Sequence, residues 1–273
     1  MKIVTSFEEI MLGVKSVRDF KEGYFTNFFP NKEQIELWIK KSIFYKIDTY
    51  EGVVFFIKKN SGFNTLYFVA KSKESLNQAI DGSSSLLCET STIVDLIGKG
   101  IELSLLSEIF KNNDFSEYTC LTRMSRIVRE NEISTIDTII ELAIIEDVQE
   151  IKFLLDTYFD PFSEQIPFEE EILKWIQSDH ILVKREGNMI VGFVIFDLIG
   201  VTSYLRYWFV HPEHRDKRIG SALLNKYFNF SKGCRKQIFW VINDNDNAIK
   251  RYRHYGFDME NMNDIILKKN YKI

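Results

Sequence analysis

The amino-acid sequence predicts an α/β protein built from two modules in tandem, and three observations lead to that prediction. The chain has 273 residues, enough for one large or two ordinary domains. Segments with helical apolar periodicity alternate with short runs rich in Val, Ile, Phe and Tyr, which are typical of strands. The same order of elements occurs twice: two helices, three strands, a helix, a strand, a helix and a last strand.

The two halves share sequence features at corresponding positions. Each opens with a Tyr-Phe pair and a further Phe, in YFTNF at residues 24–28 and YFDPF at residues 158–162. The following helix carries Glu, Ile, Trp and Ile at one constant offset, as Glu33, Ile35, Trp38, Ile39 and as Glu170, Ile172, Trp175, Ile176. Because the chain has four Trp in total, a match of two of them favours a tandem duplication over a coincidence between aromatic-rich segments.

The predicted strands follow each helix pair and are separated by glycine-containing turns. They cover residues 44–47, 53–58 and 65–70 in the first half, and 181–184, 190–196 and 203–210 in the second. Each half closes with a last strand, near residues 118–124 and 264–268. The junction falls near residues 127–146, and we expect an N-terminal domain at residues 1–130 and a C-terminal domain at residues 131–273.

Composition and charge narrow the classes of function. The net charge of −4 argues against nucleic-acid or anionic-membrane binding through bulk electrostatics. Acidic residues interrupt the N-terminal segment where a signal peptide needs apolar ones, and no apolar run is long enough to cross a bilayer. The three cysteines are widely spaced and lack zinc-site pairing. We therefore expect a cytoplasmic protein with reduced thiols and no metal, either a monomer or a homodimer.

The first segment with chemical content is YWFVHPEHRDKRIGSALL at residues 207–224. An apolar strand ends at His211 and Pro212, because proline cannot continue a ladder of strand hydrogen bonds. A basic turn leads into a helix whose apolar face is formed by Ile219, Leu223, Tyr227 and Phe230. The unpaired N–H groups of its first turn and the nearby cations predict a phosphate or pyrophosphate site. Taken alone, the segment also fits a solvated basic turn before an ordinary amphipathic helix.

The second segment is a strand-like run at residues 237–242 that leads into NDNDNAIKRYRHYGF. Its Asn and Asp residues are suited to end the strand and to cap a new helix. Ala248, Ile249 and Tyr252 would share one face of that helix, and Gly256 would end it.

Together the two segments resemble the GNAT acetyltransferase superfamily. Residues 212–224 resemble its acyl-CoA-binding motif, in which a strand ending in Val-x-Pro precedes Arg/Gln-x-x-Gly-x-Gly/Ala. The stretch Asn-x-x-Ala-x-x-x-Tyr-x-x-x-Gly-Phe, which begins at Asn245, resembles the family's later motif. The sequence departs from the family pattern at Arg218, which stands where the first glycine is usual, while Gly220 keeps the second.

This resemblance implies, in each module, a central, mostly antiparallel, twisted sheet flanked by helices, with the fourth and fifth strands of the C-terminal module splayed apart. It also implies acetyl-CoA as the acyl donor, with its pantetheine arm along the strand and its pyrophosphate at the turn. The residues implied in acetyl-CoA binding are Phe209, Val210, His211, Arg215, Asp216, Lys217, Arg218, Ile219, Gly220, Ser221, Asn245 and Tyr252.

The resemblance further implies that Tyr252 is catalytic, because a phenol near the sulfur would donate a proton or a hydrogen bond to the departing CoA thiolate. The family often uses a carboxylate to deprotonate the amine. The strand at residues 203–210 contains no acid, and the candidates near strand ends are Asp197 and Asp244. The histidines form no metal-ligand pattern, and Cys234 lacks a matched His partner.

The first half lacks both motifs. At the place of the basic turn it has approximately KSKESL, residues 71–76, without glycine and with Glu74, whose charge opposes a pyrophosphate. We therefore expect a GNAT-like module without cofactor binding.

The predicted function is transfer of an acetyl group from acetyl-CoA to a primary amine of a small molecule or peptide, by direct attack in a ternary complex. The alternative is a catalytically degenerate GNAT protein that binds and senses acyl-CoA. Aminoacyl transfer from tRNA is disfavoured by the acidic net charge.

Overall fold

The protein is described from a computed structural model, which covers residues 1–18, 23–128 and 139–271. Part of the predicted junction lies outside these described residues. Contacts divide the chain into two compact units. Unit 1 comprises Met1–Leu121 and Asn261–Ile273, and unit 2 comprises Thr122–Glu260.

The predicted helices and strands occur in the predicted order, and the structure adds short elements that were not predicted. The helices are α1 (Phe7–Arg18), α2 (Lys32–Lys40), α3 (Lys73–Gly82), α4 (Ser84–Leu87), α5 (Gly100–Lys111), α6 (Val148–Tyr158), α7 (Glu169–Gln177), α8 (Ile219–Phe230) and α9 (Asp246–His254). The strands are β1 (Lys2–Ile3), β2 (Phe25–Thr26), β3 (Phe44–Tyr50), β4 (Val53–Lys59), β5 (Asn64–Ala70), β6 (Thr92–Gly98), β7 (Ser116–Ile127), β8 (Glu141–Leu142), β9 (Ile181–Glu186), β10 (Met189–Ile199), β11 (Thr202–Val210), β12 (Lys236–Ile242) and β13 (Asp258–Lys269).

The sheet of unit 1 has the strand order β1-β3-β4-β5-β6-β13. Its pairs are antiparallel except β5 and β6, which run parallel and pair only at Asn64↔Thr92 and Thr65↔Ile93. Beyond these positions the short strand β2 pairs with the far end of β5. The core between this sheet and its helices is apolar and includes the fully buried Phe68 and Phe110.

The strands of unit 2 follow the order β7-β12-β11-β10-β9-β8, in which β11 and β12 run parallel and the pairs from β11 to β8 are antiparallel. Side chains on successive residues of a strand point to opposite faces. Tyr207 and Phe209 therefore pack into the cluster that includes α6 and α7, whereas Trp208 and Val210 pack against the cluster that includes α8. Each face of β11 thus contacts a different pair of helices.

The predicted α/β fold of two tandem modules with mostly antiparallel sheets is confirmed, and the six strands predicted in the two halves lie within β3–β5 and β9–β11. The division at residues 130 and 131 stays a prediction. Contacts assign residues 261–273 to unit 1, because β13 pairs with β6. Within the described parts of the chain, no helix combines the length and apolar character needed to cross a membrane.

Candidate active site of unit 2

The first feature of the site is an open strand edge where β11 and β12 separate. They pair at only three positions, Thr202↔Lys236, Ser203↔Gln237 and Tyr204↔Ile238. The rest of β11 is therefore not paired with β12. The register of β11 shifts opposite Ile195 and Phe196 of β10, which is a β-bulge, and bulges increase local bending and twist. The splayed pair implied by the resemblance is present.

The direction of the peptide groups on this edge can be read from one hydrogen bond. The N–H of His211 donates to Val191 O at 2.9 Å, towards β10. Because peptide groups alternate in direction along a strand, the N–H and C=O of Val210 point away from β10, to the edge of β11 that is not paired with β12. Of the three residues implied in binding the pantetheine arm, Val210 thus presents its peptide groups to the opening, and Phe209 and His211 present theirs to β10.

The turn after β11 brings unpaired N–H groups to the same edge. A 3₁₀ turn at Pro212–His214 leads to Asp216 and Arg218, whose φ angles are 69° and 58°, and α8 then begins at Ile219. The Arg218 side chain makes no capping hydrogen bond to the first N–H groups of α8. The first N–H groups of a helix have no partner within the helix and favour an anion.

Arg218 adopts the left-handed conformation that favours glycine, which explains why the family usually has glycine here. For a residue with a Cβ this conformation costs about 1 kcal/mol. The departure from the family pattern therefore adds a backbone cost to the turn.

The charged side chains of the turn are exposed, and one acid partly neutralises them. Glu186 lies 3.1 Å from His214 Nδ1 and 3.3 Å from Lys217 Nζ. The hydrogen bond with His214, followed by that with Lys217, holds the pKa of Glu186 below its ordinary value. A bound phosphate would compete with Glu186 for these two side chains.

A group of potential metal ligands, which the sequence analysis did not anticipate, lies in the same turn. Donor atoms of His211, Glu213 and His214 lie within 4.8 Å of one another. Two other contacts use these histidines: the Tyr158 hydroxyl lies 3.0 Å from His211 Nε2, and Lys217 Nζ lies 3.2 Å from His214 Nδ1. Because the ammonium group would repel a cation, the expectation of no metal stays our prediction.

Helix α9 places Tyr252 beside the apolar core. The helix begins and ends as the sequence predicts: the Asn245 side chain accepts from Ala248 N–H at 3.1 Å, and Gly256 with φ of 82° follows its end. The Tyr252 ring lies 4.1 Å from that of Phe239, centroid to centroid. Burial, with a contribution from the charge of Glu164, raises the pKa of Tyr252 to about 12. The phenol is therefore protonated at neutral pH.

Gly220 fits closely against a side chain of β11. A Cβ at Gly220 would lie 2.9 Å from Cζ2 of Trp208, closer than packed carbon atoms approach. The sequence analysis assigned this glycine to close approach by a ligand, and the structure adds a packing reason: the indole of Trp208 occupies the space.

The acids singled out in the sequence lie in structural or exposed positions. Asp197 accepts hydrogen bonds from Trp175 Nε1 and from Arg206 Nε, both at 2.6 Å, so each of its oxygens is engaged. Asp244 is exposed in the turn before α9. Burial raises the pKa of the Cys234 thiol, which agrees with the prediction that Cys234 is not a nucleophile.

The structure reveals another carboxylate, Glu164, in the loop between α6 and α7. This loop lies against β11, since the Tyr207 hydroxyl donates to Gln165 O at 2.6 Å. Burial, and secondarily the charge of Asp160, raises the pKa of Glu164 to about 7. The charge of Glu164 also raises the pKa values of Tyr207 and Tyr252, which places the carboxylate within electrostatic range of both phenols. Strongly shifted carboxylates concentrate at functional sites.

Glu164 was not predicted, because acids were expected on or beside the strands. A position in a loop carries no periodicity that shows where the side chain will lie. The nearby Asp160 was a weak signal, because paired acids raise each other's pKa.

Comparison with known families decides the identity of this region. Residues 148–257 match the model of the acetyltransferase (GNAT) family. Unit 2 contains a GNAT domain. A stretch of 97 residues is 30% identical to an uncharacterised N-acetyltransferase from Methanocaldococcus jannaschii, and the match covers 31% of this chain and 43% of that protein. The chain thus spans less than half the length of this curated relative.

Solved structures show the same fold over both units. A GNAT-family acetyltransferase from Colwellia psychrerythraea is similar with a TM-score of 0.56 and 11% identity, over 99% of each chain. A tandem GNAT protein from the clavulanic acid biosynthesis pathway is similar with a TM-score of 0.51 and 8% identity, over 79% of this chain and 78% of that one. The GNAT domain therefore lies in a tandem arrangement, with a GNAT-like fold in the first half.

Proposed function

We propose that the protein transfers an acetyl group from acetyl-CoA to a primary amine of a small molecule or peptide, by direct attack in a ternary complex. One observation carries the proposal: the uncapped amino end of α8 lies at the open edge of β11. N–H groups there suit a pyrophosphate. The Val210 peptide groups suit an amide-containing arm. Tyr252 of α9 packs near Trp208, which like Val210 belongs to β11, with ring centroids 5.6 Å apart.

The residues of this edge fit the ligand in type and position. The N–H groups of residues 215–221 would hold the pyrophosphate, with Arg215 and Lys217 as exposed cations beside it. The peptide groups of Val210 would pair with the pantetheine arm as a neighbouring strand does. Asn245 already uses its side-chain oxygen to cap α9, so its amide nitrogen is the group left to contact the ligand.

Two side chains would carry the proton chemistry. Acetyl-CoA supplies the acetyl group as a thioester, to which an amine adds as the carbon–sulfur bond breaks. Glu164, with a pKa of about 7, would take the amine proton, because a base with a pKa near the working pH is the most effective. The pKa of Tyr252, about 12, is higher than that of a thiol, which is about 8.5. Tyr252 would therefore stabilise the leaving thiolate by a hydrogen bond and keep its own proton.

The test combines binding with turnover. Isothermal titration calorimetry of the full chain with acetyl-CoA should show binding, and thiol release with a panel of primary amines should show transfer. Tyr252→Phe should lower kcat on the order of 10²-fold with little change in acetyl-CoA binding. Tyr118→Phe alters an exposed tyrosine of unit 1 and should keep the wild-type rate.

Each outcome bears on one part of the proposal. Absence of acetyl-CoA binding would overturn it. Binding without thiol release from any amine would favour the alternative, a sensor of acyl-CoA. Unchanged turnover in Tyr252→Phe would remove the role of that hydroxyl and leave the transferase assignment in place.

A further inference from the structure

Trp208 carries a buried hydrogen-bond donor that no described residue satisfies. Its indole Nε1 is inaccessible to solvent and has no acceptor within hydrogen-bond distance. Buried indole N–H groups ordinarily find a partner, because an unsatisfied one costs about 1–3 kcal/mol. Each such group in a folded protein calls for an explanation.

The indole lies close to two parts of the proposed site. Its Cζ2 and Cε2 atoms lie 2.9 and 3.4 Å from the place of a Cβ at Gly220, in the first turn of α8. Since Nε1 is bonded to Cε2, the N–H group also lies beside that turn. The ring centroid is 5.6 Å from that of Tyr252. A ligand that extends from the amino end of α8 to Tyr252 would therefore pass close to the indole.

No described protein group near the indole supplies the missing acceptor. The first turn of a helix presents N–H donors, and its carbonyl groups point along the helix towards its carboxyl end. The cluster around the indole also contains the hydroxyl of Tyr252, and none of its atoms lies within hydrogen-bond distance of Nε1. An amide or thioester carbonyl oxygen of a bound molecule has the right chemistry for the missing acceptor.

We infer that Trp208 is a cofactor-binding residue that donates its indole N–H to a carbonyl oxygen of the pantetheine arm of bound acyl-CoA. This inference rests on the proposed function, because that function brings the arm to this edge. Gly220 has a matching role: its missing side chain leaves the space in which the indole lies. Trp208 and Gly220 thus form one unit, in which the glycine sets the position of the donor.

The test observes the indole N–H directly. The chain has four Trp, so the full-length protein labelled with ¹⁵N at the indole nitrogens gives four N–H signals. Coenzyme A should shift the Trp208 signal, and adenosine 3′,5′-bisphosphate, which lacks the pantetheine arm, should leave it in place. The Trp175 signal is an internal reference, since this indole donates to Asp197. Magnetisation transfer to the Gly220 α-protons assigns Trp208 without any variant.

A binding measurement provides the second arm. Trp208→Phe keeps an aromatic ring and removes the donor, so its dissociation constant for coenzyme A should rise about fivefold, the value of one hydrogen bond. Its affinity for adenosine 3′,5′-bisphosphate should not change. Trp240→Phe, on β12, should bind both ligands as the wild type does.

The outcomes separate this inference from the proposed function. If coenzyme A binds while the Trp208 signal stays in place, or if Trp208→Phe binds coenzyme A as tightly as the wild type, the inference is wrong and the transferase proposal stands. If the wild-type chain binds neither ligand, both are overturned.

Discussion

The two units treat the same strand edge in opposite ways. In unit 1 the edge of β5 beyond its pairing with β6 is covered by β2, through the pairs Phe25↔Ala70 and Thr26↔Val69. In unit 2 the corresponding edge of β11 has no strand paired with it among the described residues. The fold therefore provides an opening in both units, and in unit 1 the chain itself fills it.

Two aligned positions account for the difference. In unit 1 the Thr26 hydroxyl donates to Phe68 O at 2.7 Å. The Asn27 side chain donates to Leu66 O at 2.9 Å and accepts from Phe68 N–H at 2.7 Å, as a neighbouring strand would. These bonds satisfy the inner edge of β5.

The repeat places Asp160 and Pro161 at the same positions of unit 2. The Asp160 carboxylate accepts hydrogen bonds within its own turn, from Ser163 Oγ at 2.7 Å among others, and proline has no side-chain donor. Beyond its three pairs with β12, the edge of β11 therefore lacks the bonds that cover the edge of β5.

The amino ends of the equivalent helices differ in the same direction. Ser72 caps α3 by accepting from Ser75 N–H at 3.1 Å, and the Ser75 hydroxyl accepts in turn from Ser72 N–H. Arg218 provides no such cap for α8. Unit 1 thus satisfies internally the groups that we propose bind the cofactor in unit 2, which fits our expectation that unit 1 does not bind it.

Removing the Glu164 carboxylate of unit 2 should have the largest effect, a loss of turnover. Glu164→Gln keeps the shape of the side chain but cannot take a proton from the amine, so we expect kcat to fall by about 10²–10⁴-fold. Acetyl-CoA affinity, measured by calorimetry, should stay the same. In the control, Glu169→Gln alters an exposed acid of α7 and should keep the wild-type rate. Full activity in Glu164→Gln would contradict its role.

Removing the side chain that covers the edge of β5 in unit 1 should lower the free energy of unfolding. Asn27→Ala leaves Leu66 O and Phe68 N–H buried without their partner, so we expect the free energy of unfolding to fall by about 2–4 kcal/mol. Urea denaturation followed by circular dichroism measures this change. Asn188→Ala, in an exposed turn, should stay within about 0.5 kcal/mol of the wild type. A loss no larger than that of the control would show that Asn27 does not hold the edge closed.

The pH dependence of turnover should identify the base of the open unit. Burial disfavours the charged carboxylate and raises the pKa of Glu164 from 4.5 to about 7, so the active, deprotonated form is lost as the pH falls through 7. With saturating amine, kcat should fall about tenfold per pH unit below 7 and level off above it. Glu164→Gln should lack this transition. A transition near 4.5 in the wild type would instead indicate a solvated acid.

The smallest effect should come from the turn that leads into α8. Arg218→Gly relieves the left-handed backbone but also gives the unfolded chain more freedom, so we expect a net gain of about 0.5–1 kcal/mol. Arg215→Gly is the matched control, because Arg215 has an ordinary φ of −62° and should lose stability. Thermal unfolding of both variants measures the difference, and a destabilised Arg218→Gly would mean that the guanidinium makes a stabilising contact.

Local patterns in the sequence predicted the elements well, and long-range packing escaped them. The continuous apolar run VVFFIKK of β4 and the three-residue spacing of Ile35 and Trp38 in α2 are both visible in the local sequence. The uncapped end of α8 was predictable for the same reason, since a turn and a helix start are local. The side-chain pattern of a strand does not identify the strand it pairs with, so the pairing of β13 with β6 was missed.

The same limit applies to the site. Two residues of β2 are too few for a strand pattern, and neither the covered edge of unit 1 nor the position of Glu164 could be derived from spacing. Trp208 was visible as part of an apolar strand, but its unsatisfied N–H group is a property of its surroundings. The chemistry that depends on tertiary contacts therefore required the structure.

The pairing of β13 with β6 constrains the order in which the chain can fold during its synthesis. During synthesis the N-terminal segments leave the ribosome first, yet β6 lacks its partner strand until residues 263–269 have emerged. Translation must pass through the whole of unit 2 before this pairing can form. Ribosome-bound chains halted before residue 258 should thus expose β6 to protease, and finished chains should protect it.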